Sequence, residues 1–128
     1  MQNILPIKLP PDTPIKGASG ATILDFWQWA YSDILDNRAR GIFAEFLVGQ
    51  ALGVITDDVR HEWLDADLLY NGKKIEVKTS AYIQSWHQNK LSQIKYDIEP
   101  KRKWDPLTNI VGSDISRNSD CYVFCLYT

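Results

Sequence analysis

Long apolar runs are missing from this 128-residue sequence. No stretch of about 18 apolar residues occurs, so no membrane-spanning helix is expected. The opening run MQNILPIKLP carries no apolar core behind a basic start, so no secretory signal is expected either. Cysteine is scarce, with only Cys121 and Cys125 present. Both fall in a run that reads as a strand, where positions four apart stand about 13 Å from each other. A disulfide needs Cα atoms within about 7 Å, so these two cannot pair with one another. Their spacing is also not the Cys-x-x-Cys of zinc or redox sites. Two buried core thiols and a cytoplasmic location are the resulting expectations. His61 has no companion His or Cys nearby in sequence and receives no role. An excess of one charge is lacking as well, since 14 basic residues face 16 acidic ones for a formal charge of −2. Nucleic-acid binding through bulk positive charge is excluded, and any such partner must be held by a local basic patch. Internal repeats and low-complexity tracts are absent.

The remaining composition is that of a globular domain, 45% hydrophobic and 23% charged. The length suits one domain with one core. Five Trp are many for this length, and some are expected at a binding surface. Residues 1–18 hold Pro6, Pro10, Pro11 and Pro14 and are expected to form a proline-rich extended arm, with the domain proper at 19–128. Thr22 followed by Asp25 has capping-box form. Ile23, Phe26, Trp27, Ala30 and Ile34 recur at helical spacing, which predicts a helix over 22–36. Asn37-Arg38 is expected to break it. A second helix over 39–52 carries Ile42, Phe43, Phe46, Leu47 and Leu52 and stops at Gly53. Trp27 and Trp29, two apart on the first helix, cannot both face inward.

The most informative stretch follows. Asn71-Gly72 separates two strand-like runs, and this dipeptide is a strong hairpin signal. The expected hairpin spans 62–80. A two-residue turn sets residue 70 opposite 73, Asp67 opposite Glu76 and Asp65 opposite Lys78. Alternation along the strands then gathers Asp65, Asp67, Glu76 and Lys78 on one face. Leu64, Ala66, Leu68, Ile75 and Val77 share the core face. Opposed carboxylates repel across a strand pair, and folding alone does not call for them. A divalent cation between them reverses the sign of that interaction, and oxygen donors select Mg²⁺ or Mn²⁺. Lys78 on the same face can hold an attacking water or a developing phosphate charge. Asp65 and Asp67 both qualify as the main acidic ligand; Asp67 faces Glu76 directly.

Asp67, nine residues before Glu76-Val77-Lys78 on a hairpin that follows a helix, resembles the signature of the PD-(D/E)XK nucleases. Residues 22–127 are similar to this restriction-endonuclease-like superfamily, in particular to uncharacterised bacterial members with a run like Ile75-Glu-Val-Lys-Thr-Ser-Ala-Tyr-Ile-Gln-Ser-Trp86. The resemblance implies that Asp67 and Glu76 bind Mg²⁺ or Mn²⁺, helped by the Val77 carbonyl and by Glu45 on the preceding helix. It implies that Lys78 orients the attacking water and that Gln84 joins the site. Ala66 stands where the motif's proline would be. The implied fold is α/β (α+β), a restriction-endonuclease-like core with N-terminal helices packed on a mixed sheet. The hairpin at 62–80 and a third strand at 120–127 belong to that sheet, and the family's last helix and strand are expected to be missing.

Glu45 has no basic residue three or four positions away and flanks the apolar stripe of its helix, which also draws attention to it. A solvated flank residue, or a tertiary pair with Arg38 or Arg40, is the plainer alternative. Residues 81–104 are expected to be partly irregular and 105–119 a loop. Between Trp86 and Trp104 five basic residues face two acidic ones. Lys90, Lys95, Lys101, Arg102 and Lys103 are thus candidates for contacting phosphates, and Trp86 for stacking on a base. The expected function is metal-dependent hydrolysis of DNA phosphodiesters. The alternatives are a solvated hairpin with surface salt bridges, Asp65 with Lys78 among them, or a non-catalytic module of the same fold that binds nucleic acid or protein. Expected partners are DNA and either a second copy or a partner chain that completes the fold, with no membrane.

Overall fold

A computed structural model describes residues 6–61, 66–105 and 107–128, with 101–105, 110 and 113–115 described by their backbone alone. The elements are α1 (Ile23–Tyr31), α2 (Asn37–Leu52), β1 (Leu68–Tyr70), β2 (Lys73–Ala81), β3 (Lys101–Asp105), β4 (Ile110–Ser116) and β5 (Cys121–Tyr127). This is a small α+β fold. A mixed sheet has the order β1-β2-β5, with β1 antiparallel and β5 parallel to β2. A separate two-stranded sheet pairs β3 with β4. Among the described residues no helix is long and apolar enough to cross a membrane.

The turns and caps follow from local chemistry. Asn71 and Gly72 both take positive φ, 49° and 75°, as a two-residue hairpin turn requires. The resulting register is Tyr70↔Lys73 and Leu68↔Ile75, the one predicted by the turn. Residues 62–65 of the expected hairpin, Asp65 included, lie outside the described residues. The Thr22 N–H donates to Asp25 Oδ2 at 2.7 Å and starts α1. That helix ends at Tyr31, five residues short of expectation. The Asp36 side chain accepts from Ala39 N and caps α2, which therefore begins at Asn37 rather than 39. At the far end Gly53, at φ 71°, closes α2 in the left-handed conformation.

Only α2 packs extensively on the mixed sheet, whereas α1 buries none of its residues. The expectation of two helices packed on the sheet is corrected to one. Trp29 is 85% exposed and Trp27 half-buried. The core joins Ala44 of α2 to Ile75 and Val77 of β2, with Val48, Leu52, Leu68, Val123 and Cys125 against it. Gly49 lets α2 lie close to the hairpin, since a Cβ there would stand 3.2 Å from Leu68 Cδ2 and 2.5 Å from Ile55 Cδ1. Arg40 is buried at the other end of α2. It donates to the Leu35 carbonyl, Asn37 Oδ1, Thr79 Oγ1 and Gln84 Oε1, tying the helix start to the end of β2.

The parallel strand β5 is secured by Asp120, whose N–H donates to the Lys74 carbonyl while its carboxylate accepts from Lys74 N, both at 2.8 Å. Both thiols are free, and Cys121 is exposed rather than buried. The expected loop at 105–119 is largely strand. Its turn passes through Asn109, at φ 54°, and its ladder shifts register between Arg102 and Trp104. That irregularity removes the clean alternation by which a strand is recognised in sequence.

Candidate active site

The hairpin register carries Asp67 to the place opposite Glu76, one step beyond the end of β1. There Asp67 Oδ2 accepts the Val77 N–H at 2.7 Å. A continued ladder would give that bond to the Ala66 carbonyl. The carboxylate thus ends β1 and lies against the edge of β2. In an antiparallel pair a residue's N–H and C=O point to the same neighbour, so the Val77 carbonyl also faces the Asp67 side.

Burial pushes the Asp67 carboxyl up to about 6, against the pull of the Val77 N–H bond. The charge of Glu45, a hydrogen bond shared with Glu45 and the charge of Glu76 push the same way as burial. Two carboxyl groups joined by a hydrogen bond need a proton or a cation between them. Glu45 comes from α2 beside the core residue Ala44 and is only 9% exposed. Arg60 grips it through Nε and Nη2, which donate to Glu45 Oε2 and Oε1 at 2.5 and 2.9 Å.

On the other side of Asp67, Lys78 Nζ stands 2.9 Å from Glu76 Oε1, and Ser119 Oγ donates to Glu76 Oε2 at 3.2 Å. Burial draws Lys78 down, but the hydrogen bond and charge of Glu76, with Asp67 and Asp97, outweigh it and leave the ammonium above its usual range. Glu76 and Lys78 open into a cleft of about 100 Å³ shared with Asp97, Glu99, Arg117 and Tyr122. Arg117 Nε donates to the Ile98 carbonyl at 2.9 Å and holds that wall in place.

The fold therefore brings Glu45, Asp67, Glu76, Val77 and Lys78 together. Gln84 sits apart in a structural network, accepting from Arg40 at 2.9 Å and donating to the Ala81 carbonyl and Ser92 Oγ. Trp86 is 59% exposed, and Lys90 and Lys95 are exposed on the segment after β2. The side chains of Lys101, Arg102 and Lys103 lie outside the described residues. Arg60, Asp97 and Ser119 escaped the sequence reading, because no spacing rule links a loop residue to a carboxylate that only the fold brings near.

The donor chemistry suits a hard divalent cation: carboxylates, one held up by its neighbours, and a backbone carbonyl. Among the described residues no three His, Cys, Asp or Glu side chains are placed to hold one ion together. Two carboxylates suffice where substrate phosphate and water complete the shell, as is usual for Mg²⁺.

No protein-family model matches the chain, and no curated protein or solved structure matches it either.

Proposed function

We propose that this chain is a Mg²⁺- or Mn²⁺-dependent nuclease of the restriction-endonuclease-like PD-(D/E)XK kind, hydrolysing DNA phosphodiesters in the cytoplasm. One observation carries the proposal: Asp67 is raised to about 6 by burial and by two further carboxylates, Glu45 and Glu76, with Lys78 beside it. Such an arrangement costs stability at neutral pH, and carboxyl groups perturbed in this way cluster at functional sites. Asp67 and Glu76 would hold the ion, with Glu45 and the Val77 carbonyl in support. A bound divalent ion supplies charge neutralisation at the scissile phosphate and an acidified water.

The chain's own residues do the rest. Lys78 keeps its proton at neutral pH, so it donates rather than accepts. Its ammonium orients the attacking water or meets charge on a phosphoryl oxygen, and it cannot serve as general base. Arg60 fixes Glu45 and limits the negative charge pressed on Asp67. Ser119 keeps the Glu76 carboxylate directed along the strand edge.

The pairing of Glu45 with Arg60 and of Glu76 with Lys78 favours a second reading, a non-catalytic binding module in which these cations satisfy the acids permanently. Cleavage assays separate the two. With Mg²⁺ and a mixture of plasmid and short duplexes, wild-type chain cuts, and Glu76→Ala loses at least 100-fold in rate while its circular dichroism is unchanged. Retained cleavage in that variant overturns the assignment, and metal-independent DNA binding without cleavage in the wild type favours the module.

A further inference from the structure

The β3–β4 pair stands apart from the rest of the fold. Its strands form their own sheet, and among the described residues they make no extensive contact with α1, α2 or the mixed sheet. Val111 of β4 is 58% exposed, and Leu107 in the turn 94%. A lone two-stranded ribbon is marginally stable in water, so this one calls for a partner along its length. Its foot lies at the candidate site. Ser116 at the end of β4 and Arg117 after it line the cleft with Glu76 and Lys78, as do Ile98 and Glu99 ahead of β3. The pairing Lys101↔Ser116 and Arg102↔Ile115 puts the start of β3 at that same end. The basic run Lys101-Arg102-Lys103 thus occupies the ribbon positions nearest the cleft. Residues 101–117 hold four basic and two acidic residues, in a chain whose formal charge is −2. The cleft itself holds Glu76, Asp97 and Glu99, which repel a phosphate backbone, so cations beside it must hold that backbone. Arg117 is exposed. Among the described residues its guanidinium makes one hydrogen bond, from Nε to the Ile98 carbonyl, which leaves both Nη groups for an outside acceptor.

We infer that the β3–β4 ribbon docks in the major groove of duplex DNA, with its basic foot and Arg117 at the flanking phosphates, and so brings one strand to the carboxylate site. The inference rests on the nuclease reading for its choice of nucleic acid and deepens it by naming the substrate as a duplex. Shape selects among nucleic acids. Paired strands lie about 4.8 Å apart, and a two-stranded ribbon enters the B-form major groove, which is about 12 Å wide. The major groove of duplex RNA is too narrow to admit it, and a single strand offers no groove.

The test uses the full chain in EDTA, so that metal plays no part. Fluorescence anisotropy compares a labelled DNA duplex of about two helical turns with an RNA duplex and a single DNA strand of the same sequence. The DNA duplex binds most tightly. Lys101→Gln/Lys103→Gln weakens it and lowers the slope of log affinity against log salt by about two units, and Arg117→Gln lowers it by about one. Circular dichroism is unchanged in both variants. Lys16→Gln/Lys73→Gln removes the same charge outside the ribbon and leaves the slope as it was. Equal affinity for the DNA and RNA duplexes, no duplex binding at all, or an equal fall in slope for the two double variants overturns the inference. So does a dimer, seen by sedimentation, that Lys101→Gln/Lys103→Gln dissociates or tightens in a chain that binds no duplex, because the ribbon then pairs with a second copy. If Mg²⁺-dependent cleavage persists undiminished in Lys101→Gln/Lys103→Gln, the ribbon assignment fails and the nuclease reading stands. Duplex binding weakened in that variant but kept in Glu76→Ala, in a chain that never cleaves, supports the ribbon and overturns the nuclease reading.

Discussion

A carboxyl group raised to about 6 weighs against the folded state at neutral pH. In the unfolded chain Asp67 titrates near 3.8. Between that value and about 6 the folded chain holds a proton that the unfolded chain has released. Stability therefore falls as pH rises through this window, and the loss is complete above it. Asp67→Asn removes the charge but keeps an oxygen for the Val77 N–H. In EDTA the variant should melt a few degrees above wild type at pH 8, an advantage on the order of 1 kcal/mol for a half-buried, partly screened group. The advantage should vanish near pH 4. A variant less stable than wild type at pH 8 would show that Asp67 is a structural acceptor and carries no strain.

The hairpin is the element that turns sequence into geometry, because Asn71 and Gly72 set its register and the register sets Asp67 against Glu76. Gly72→Val puts a β-branched side chain at φ 75°. It should cost about 1–2 kcal/mol, read as a lower urea midpoint, and it should weaken metal binding by loosening the register. An unchanged midpoint would mean that packing of Ile75 and Val77, rather than the turn, holds the pair together. This element was legible because turn chemistry and alternation agree over a few residues. The start of α2 was less so. Asp36 reads as the tail of the first helix until its bond to Ala39 N shows it as a cap. The contact of Gln84 with Arg40 was not legible for a physical reason of range: Arg40 lies in another element, and spacing along the chain cannot report such a contact. The β3–β4 pair was hidden by its register shift and by a turn built on Asn109 rather than on a Gly-containing dipeptide.

Across the whole molecule, the site borrows its rigidity from a small core. Ala44 and Val77 are core residues, and their immediate neighbours Glu45 and Glu76, with the Val77 backbone itself, supply the acids and the edge that receive Asp67. Among the described residues no large side chain is fully buried, and the buried cluster of Ala44, Ile75 and Val77 spans the contact between α2 and β2. A net charge of −2 adds no general attraction for DNA, so the proposed function requires recognition by local features. The central claim is that Asp67 and Glu76 form a cation site, and the most direct measurement is calorimetric titration of Mn²⁺ into wild-type chain and into Asp67→Asn/Glu76→Gln. An uncleaved phosphorothioate oligonucleotide present throughout supplies the phosphate oxygens. The account predicts saturable binding at one site in the wild type and none in the double variant. Matching heats in the two proteins, or no binding in either, would contradict it.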